Sequence, residues 1–76
     1  MALELVSFIV QNLVTEPDKL EISGERDDRS VRVTIRCSKE DAGRIIGRGG
    51  RVINSIRTLA RAAVDGQQRV EVQLLD

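Results

Sequence analysis

Apolar residues recur along the chain at two spacings, and each spacing predicts a different kind of element. Near the N-terminus they follow helical spacing, at Leu3, Val6, Ile9, Val10, Leu13 and Val14. This pattern predicts an amphipathic first helix. Pro17 should end that helix, because the residue before a proline is disfavoured in helical geometry.

Alternation with a period of two predicts three strands. Leu20 and Ile22 alternate with polar neighbours in a short first strand. The clearest strand has one apolar and one polar face, made by Val31, Val33, Ile35 and Cys37 and by Arg32, Thr34 and Arg36. The charged stretch 24–29 between these two strands is predicted to be a hairpin loop. Val70, Val72 and Leu74 alternate with Glu71 and Gln73 in the last strand.

Two more helices are predicted between the second and third strands. Ser38 is placed to cap the first of them, with Asp41 three residues later in an arrangement like a capping box. Gly47 breaks this helix, and a longer one follows Gly50. Its predicted buried face holds Ile53, Ile56, Leu59, Ala60, Ala63 and Val64, and its polar face holds Arg51, Asn54, Thr58 and Arg61, with Arg57 at the edge. Gly66 is placed to end it.

The predicted order is α-β-β-α-α-β, which belongs to the α+β class. The first two strands should form an antiparallel hairpin, and the two-helix connection is long enough for a parallel crossover. These connections predict a three-stranded mixed sheet in the order 1-2-3, covered on one face by three helices. We expect one domain over residues 1–76, with a helix-and-strand extension at 1–24 and a β-α-α-β core at 30–75.

Charge is distributed unevenly along this neutral chain. Its composition, 41% hydrophobic and 32% charged over 76 residues, is typical of a globular domain. Between residues 1 and 28, seven acidic residues (Glu4, Glu16, Asp18, Glu21, Glu25, Asp27, Asp28) stand against two basic ones (Lys19, Arg26). Between residues 42 and 64 there are five arginines and no acid: Arg44, Arg48, Arg51, Arg57 and Arg61. A basic face of this kind can bind phosphate, although solvated helix surfaces would give the same pattern.

The residue types that usually carry catalysis or hold metals are scarce. The chain has no histidine and a single cysteine, Cys37, so it offers no internal disulfide, zinc-ligand set or nucleophile–histidine pair. We therefore expect neither an enzyme, nor a metal site, nor a cofactor. The polar and acidic N-terminus resembles neither a signal peptide nor a membrane span, so a cytoplasmic location is expected.

The loop Gly47-Arg48-Gly49-Gly50 is the strongest candidate for function. Glycines allow positive φ and close approach of a ligand, and the helix that starts at the loop directs its N–H groups towards it. A phosphate suits such a place. A Walker loop would need Lys and Ser/Thr after a second glycine, and the dinucleotide fingerprint would need glycine where Val52 stands. The remaining alternative is a tight turn between helices with no ligand.

The residues around the loop carry a family resemblance. The run 42–53, AGRIIGRGGRVI, resembles the (V/I)-I-G-x-x-G-x-x-I signature of KH domains. The run 55–63 is similar to the helix of short bacterial KH proteins, and the preceding helix and strand match the type II arrangement. The resemblance spans essentially the whole chain, and the family it indicates is that of stand-alone bacterial KhpA-like RNA-binding proteins.

That resemblance implies single-stranded RNA binding, with the loop clamping the backbone of about four nucleotides. The implied role is that of a post-transcriptional regulator or RNA chaperone. Carried onto this sequence, the phosphate contacts are Gly47, Arg48, Gly49 and Gly50, flanked by Arg44 and Arg51. Ile45, Ile46 and Ile53 would wall an apolar groove for bases, or would serve only as core. Gly49 departs from many KH domains, which carry a polar or basic residue there, so Arg48 is the only charged side chain at the tip.

A protein-interaction module is the competing interpretation. The resemblance implies self-association as a homodimer, or pairing with a larger multidomain KH protein of the KhpB (Jag) type, with RNA contact secondary. Phe8, the only aromatic residue, is predicted to lie in the core. Stacking of bases on an aromatic sheet surface is then excluded, and sequence preference should be weak. Single-stranded DNA remains an alternative ligand.

Overall fold

The computed structural model describes residues 1–64, 66 and 68–75, and its elements follow the predicted order. Within these residues the helices are α1 (Ala2–Gln11), α2 (Lys39–Ile46) and α3 (Arg51–Ala62), and the strands are β1 (Glu21–Arg26), β2 (Ser30–Arg36) and β3 (Arg69–Leu75). Short 3₁₀ turns span Pro17–Lys19 and Arg48–Gly50. The predicted α+β class and element order are therefore confirmed.

The sheet has the order β1-β2-β3. β1 and β2 are antiparallel, with Glu21 opposite Arg36, whereas β2 and β3 are parallel, with Val33 opposite Val72. β3 thus pairs on one side only and forms an edge of the sheet. Its position matters for the site described below, because α3 packs beside it.

The helices and one face of the sheet enclose a single aliphatic core in the described residues. Every described element except the two 3₁₀ turns contributes apolar side chains to it, since β1 adds half-buried Ile22. The fully or nearly fully buried members are Ala2, Val6, Val10, Val31, Val33, Ile35, Ile45, Ile53, Ile56, Ala60, Val70 and Val72. Half-buried Cys37, directly after β2, packs against this core as its apolar position predicts.

The first helix is shorter than predicted. It ends at Gln11, not at Pro17. The side chain of Asn12 donates to the carbonyl oxygen of Phe8 at 2.7 Å, and this local bond competes with continued helix geometry. Pro17 instead begins the first 3₁₀ turn, where its missing N–H costs nothing.

The hairpin loop is also shorter than predicted, because β1 continues through Gly24 to Arg26. A Cβ on Gly24 would lie 3.0 Å from Leu3 Cδ2, so glycine here lets α1 pack closely on the strand. The turn itself is organised by Asp27, whose carboxylate accepts the backbone N–H groups of Arg29 at 2.7 Å and Ser30 at 2.8 Å. This arrangement is an Asx turn.

Three predictions about α1 and α3 are wrong. Phe8 is 68% exposed and Leu59 is 50% exposed, so neither lies in the core. Helical spacing marks an apolar stripe broader than the face that is buried. α3 ends at Ala62 and not at Gly66, which lies in the following turn.

Candidate nucleic-acid interface

The loop between α2 and α3 is shaped by three glycines with positive φ: Gly47 (75°), Gly49 (65°) and Gly50 (80°). Gly47 has ψ of 172°, a combination that is essentially restricted to glycine. A Cβ on Gly47 would also lie 2.8 Å from Val52 Cβ and 2.9 Å from Val52 N. Gly49, by contrast, has open space around it. Glycine at position 47 is therefore required by the fold, whereas position 49 is free to face a ligand.

Backbone hydrogen bonds hold the loop against both helices. Gly47 N donates to Gly43 O at 2.9 Å at the end of α2, and Gly50 N donates to Gly47 O at 3.2 Å inside the 3₁₀ turn. α3 then starts at Arg51 with Gly50 as its N-cap, a residue with no side chain to cap the helix. The N-terminal N–H groups and the positive end of the helix dipole are the features that bind anions at helix starts. α3 thus starts at the loop, as predicted, and phosphate binding by the loop stays a prediction.

A buried carboxylate fixes the helix that leads into the loop. Asp41 in α2 has no exposed surface, and its carboxylate accepts hydrogen bonds from Thr15 N and Thr15 Oγ1, both at 2.9 Å, and from Glu16 N at 3.0 Å. Burial raises the pKa of this carboxyl, but the hydrogen bonds from Thr15 and Glu16 outweigh it and leave the pKa below its ordinary value. Asp41 therefore ties the segment after α1 to α2 as an ionised group.

Only half of the predicted capping box is formed at α2. Asp41 N donates to Ser38 Oγ at 3.2 Å, as predicted, and Ser38 is the N-cap. Most hydrogen bonds to the Asp41 carboxylate come from Thr15 and Glu16, with a further one from the Ser38 side chain. Asp41 follows Lys39 and Glu40 in a charged stretch, so the local sequence gave no sign that its side chain is buried.

The arginines predicted to flank the loop are exposed around it. Arg48 stands at the tip, Arg51 begins α3, and Arg44 lies in the last turn of α2 with its Nε 4.0 Å from Asp41 Oδ1. At this distance the ionised Asp41 is an ion-pair partner of Arg44 and compensates part of its positive charge. The described residues between 42 and 64 contain no other acid to balance this surface.

The three isoleucines assigned to the groove do not occupy equivalent positions. Ile45 is fully buried and Ile53 nearly so, which places both in the core. Ile46, the last residue of α2, is 43% exposed next to the loop. Of the three side chains, only Ile46 offers apolar surface to a ligand, while Ile45 and Ile53 support the loop from beneath.

Arg57 makes a contact that sequence patterns did not indicate. Its Nε and Nη2 both donate to Val72 O of β3 at 3.2 Å, and its Nη1 donates to Asn54 Oδ1 at 3.0 Å. The side chain is half-buried between α3 and the edge of the sheet. The i, i+3 spacing of Asn54 and Arg57 was visible in the sequence, but the strand carbonyl was not.

The open face of the sheet does not resemble a nucleic-acid surface. Arg32 Nε binds Glu71 Oε2 at 3.2 Å, and Gln73 Nε2 donates to Thr34 Oγ1 at 3.1 Å. Arg36 stands directly opposite Glu21 in the register of β1 and β2. Basic side chains on this face therefore have acidic neighbours, and no aromatic side chain is present for stacking.

A surface depression in the described residues lies at the hairpin, away from the glycine loop in sequence. It is lined by Asp27, Asp28, Arg29, Ser30, Gln68, Arg69 and Glu71. Charges of both signs share this surface, and the Asp27 carboxylate is already used to form the turn. Its two arginines, Arg29 and Arg69, thus share the depression with three acidic residues.

The described residues form neither a cluster of metal-ligating side chains nor a helix that could span a membrane. His, Cys, Asp and Glu side chains do not gather in groups of three or more that could hold a metal ion there. None of the helices described has the length and apolar character needed to cross a bilayer.

The chain is also similar in sequence to a known family and to several curated proteins. A family model described as the KhpA/KhpB KH domain matches residues 3–74. The RNA-binding protein KhpA of Borreliella burgdorferi is 39% identical over 75 residues, covering 97% of this chain and 92% of that protein. KhpA of Leifsonia xyli subsp. xyli is 35% identical over 71 residues (93% and 92%), and KhpA of Listeria monocytogenes is 44% identical over 59 residues (78% and 78%).

Proposed function

This chain belongs to the KhpA/KhpB KH-domain family, and from that premise we propose that it binds single-stranded RNA through the loop 47–50. The family is one of KH-domain proteins and not of enzymes, in agreement with the prediction from the residue types. The RNA-binding name of the curated relatives supports the choice of ligand. We treat residues 1–76 as one KH unit, with the extension at 1–24 and the core at 30–75.

The observation that carries this proposal is the conformation of the loop. Position 47 accepts only glycine without strain. Gly47 turns the chain so that α3 starts at the loop. A phosphate held there would accept hydrogen bonds from backbone N–H groups and from Arg48. Because the glycines already hold this conformation, little ordering of the protein is needed on binding.

The surrounding residues suit a strand of about four nucleotides, the length that a KH domain holds. Arg44 and Arg51 lie on either side of the loop and would meet the neighbouring phosphates. Ile46 supplies exposed apolar surface for a base beside the loop. Single-stranded DNA would satisfy the same backbone contacts, so a 2′-deoxy competitor of the same sequence measures the preference for RNA.

The first experiment is fluorescence anisotropy with a labelled single-stranded RNA octamer, titrated with the wild type and with Arg48→Asp plus Gly49→Asp. The double variant places two carboxylates against the phosphate, so binding should be lost while the circular dichroism spectrum stays the same. Lys39→Asp plus Ser23→Asp makes the same change in net charge at exposed positions outside the loop, and it should bind almost as the wild type does. An equal loss of RNA affinity in the two double variants would refute an RNA site at the loop.

A regulatory or RNA-chaperone role in the cytoplasm fits this kind of binding. A clamp on the backbone with few base contacts accepts many sequences, as a chaperone of RNA requires. Strand annealing and strand displacement assays with the same two variants test this role directly. Failure of the wild type in both assays would restrict the function to binding alone.

A second candidate function is protein interaction, and the exposed Phe8 and Leu59 favour it. Large apolar side chains at 68% and 50% exposure are common at interfaces. A second copy of the chain would provide the second RNA site that useful affinity requires. A larger KhpB (Jag)-type protein, which carries a domain covered by the same family model, is the alternative partner.

Light scattering on the wild type and on Phe8→Glu and Leu59→Glu variants, with and without RNA, separates the two functions. A dimer that forms without RNA and that either charge disrupts supports the interaction module. A monomer at all concentrations would leave RNA binding as the function of the single domain. Mixing with a KhpB-type domain then tests the heterologous pairing.

A further inference from the structure

A line of polar contacts runs from Asn54, which lies beside the glycine loop, to the edge of the sheet. Asn54 lies one turn into α3, and its Nδ2 would be 3.6 Å from a Cβ on Gly50, the last loop residue. Asn54 Oδ1 accepts from Arg57 Nη1 at 3.0 Å, and Arg57 in turn binds Val72 O. Arg57 follows Gly50 by seven residues, which places it about 10 Å along the helix axis from the loop.

The free edge of β3 borders this line of contacts. Backbone groups alternate between the two edges of a strand, and the Val72 carbonyl points away from β2, towards Arg57. Arg57, in the middle of α3, reaches the carbonyl of Val72, in the middle of β3. A nucleotide held at the loop would have the surface between the loop and this edge within reach of its base.

Arg57 is held by three hydrogen bonds with donors still to spare. A guanidinium has five N–H groups, and the bonds to Val72 O and Asn54 Oδ1 use three of them. One N–H remains on each of Nη1 and Nη2. A planar donor fork that is already held in place loses little entropy when it binds, and its half-buried position strengthens those bonds.

We propose that Arg57, positioned by Asn54 and Val72 O, is a base-reading residue that selects guanine over adenine at one position of the bound RNA. This inference rests on the proposed function, because the loop must first hold the backbone. Guanine presents two adjacent acceptors, O6 and N7, to a donor fork. Adenine presents N7 beside the N6 amino group, and that donor opposes an arginine that can only donate.

The structure separates this role from that of a phosphate contact. The arginines at the loop are exposed, whereas Arg57 is half-buried and lies about two helical turns away. Loss of a phosphate contact weakens all sequences alike and lowers the salt slope, whereas loss of a base contact relaxes the preference at one position. The two roles therefore predict different results for a substitution that keeps the charge.

The experiment compares uridine octamers that carry a single central guanosine or adenosine, with the wild type, Arg57→Lys and the matched control Arg61→Lys on the same helix. We expect the wild type and Arg61→Lys to bind the guanosine RNA about tenfold more tightly than the adenosine RNA. Arg57→Lys should lose most of that difference while binding the adenosine RNA as before and keeping its salt slope. Replacing the guanosine with 7-deazaguanosine, which lacks only the N7 acceptor, should reduce the preference of the wild type and of Arg61→Lys but not that of Arg57→Lys.

Each other outcome has a definite meaning. Equal affinity of the wild type for the two octamers, or a preference that survives in Arg57→Lys, overturns base reading by Arg57. A uniform loss for both RNAs with a lower salt slope assigns Arg57 to the phosphate backbone and also overturns it. If the wild type binds neither octamer, the proposed function itself fails, which is a result distinct from the other two. Asn54→Ala, which removes the support of Arg57 but not its guanidinium, should reduce the preference by a smaller factor.

Discussion

The carboxylate of Asp41 accepts two hydrogen bonds from Thr15, one from its backbone N–H and one from its hydroxyl, each at 2.9 Å. The two residues are 26 positions apart in the chain. This contact joins the segment that follows α1 to the helix that carries the loop. The position of the candidate RNA site thus depends on a carboxylate that touches no RNA.

Replacing Asp41 tests that dependence. Asp41→Asn keeps the shape of the side chain but replaces one carboxylate oxygen with an NH2 group, which donates and does not accept. The N–H groups of Thr15 and Glu16 therefore lose part of their hydrogen bonding inside the fold. We expect a lower midpoint of urea unfolding than for Thr15→Val, which removes only the hydroxyl. RNA affinity at temperatures where Asp41→Asn stays folded should fall by a smaller factor than in the loop variants. If Asp41→Asn were as stable as the wild type, the hydrogen bonds of Asp41 to Thr15 and Glu16 would not be needed to hold the fold.

The same carboxylate predicts how stability depends on pH. Its pKa in the folded protein lies below the ordinary value of 3.8, because the hydrogen bonds outweigh burial. The ionised form is therefore favoured by folding, and its contribution is present above about pH 3.8 and is lost as the pH falls through the lower folded pKa. The stability advantage of the wild type over Asp41→Asn should shrink in that acidic window.

Urea unfolding of both proteins between pH 7 and pH 2.5 measures this difference. Asp27 also has a lowered pKa, owing to the N–H groups of Arg29 and Ser30. Asp41→Asn will therefore retain some acid sensitivity, and the informative quantity is the difference between the two proteins. A difference that is constant across the whole range would show that Asp41 does not titrate in this way.

The glycines of the loop should differ in their tolerance of a side chain. Gly47→Ala combines a backbone conformation restricted to glycine with a Cβ 2.8 Å from Val52 Cβ, so we expect a loss of about 3 kcal/mol or more. In Gly49→Ala the new Cβ has open space around it, so the only cost is the left-handed backbone conformation, about 1 kcal/mol. Thermal unfolding measures both, and Gly47→Ala with Val52→Ala should recover only the part due to the Val52 methyl groups, because Val52 Cβ and N remain in place. Similar losses for the two single variants would contradict this geometry.

Phe8 and Val6 lie on opposite sides of α1 and should respond differently to truncation. Val6 is fully buried, so Val6→Ala should cost about 2 kcal/mol through lost burial and the cavity left behind. Phe8→Ala should change the stability of a monomer by less than about 0.5 kcal/mol. Chemical denaturation at low protein concentration is the appropriate measurement. A large loss for Phe8→Ala that grows with protein concentration would indicate that Phe8 is covered by another chain.

Salt dependence should separate the arginines of the loop from those of the sheet. Arg48→Gln should reduce the slope of log affinity against log salt concentration by about 0.7, the value for one contact to a single strand. Arg36→Gln, on the open face opposite Glu21, should leave the slope unchanged. The comparison uses one labelled RNA and a series of potassium chloride concentrations. An equal change in both slopes would mean that binding follows total charge and not the loop.

Local sequence signals were enough to predict the strands and the loop. Alternation with a period of two depends only on which face of a strand is buried, so Val31, Val33 and Val72 were assigned correctly. The glycines of the loop mark a conformation that other residues rarely adopt. Helix faces were predicted less well, because the core buries a narrower stripe than the apolar residues occupy, and Phe8 and Leu59 lie outside it.

The contacts that connect distant parts of the chain could not be predicted. Asp41 was interpreted as part of a cap because its nearest partner in sequence is Ser38, yet its carboxylate is used by Thr15. The bond from Arg57 to Val72 O depends on how α3 packs beside β3, and no local pattern determines that. Both contacts concern the support of the candidate site, whereas its central loop was evident from the sequence.

The hydrogen bonds that Arg57 donates to Val72 O also bear on how the protein behaves at high concentration. An unpaired outer strand is a template on which the same strand of another molecule can add, and repetition of that step leads to aggregation. Arg57 occupies the carbonyl in the middle of β3 and places a positive charge there. A foreign strand would have to displace that arginine before it could form a continuous ladder. A chain with almost no aromatic residues and a small core thus protects its outermost strand with one side chain of its own neighbouring helix.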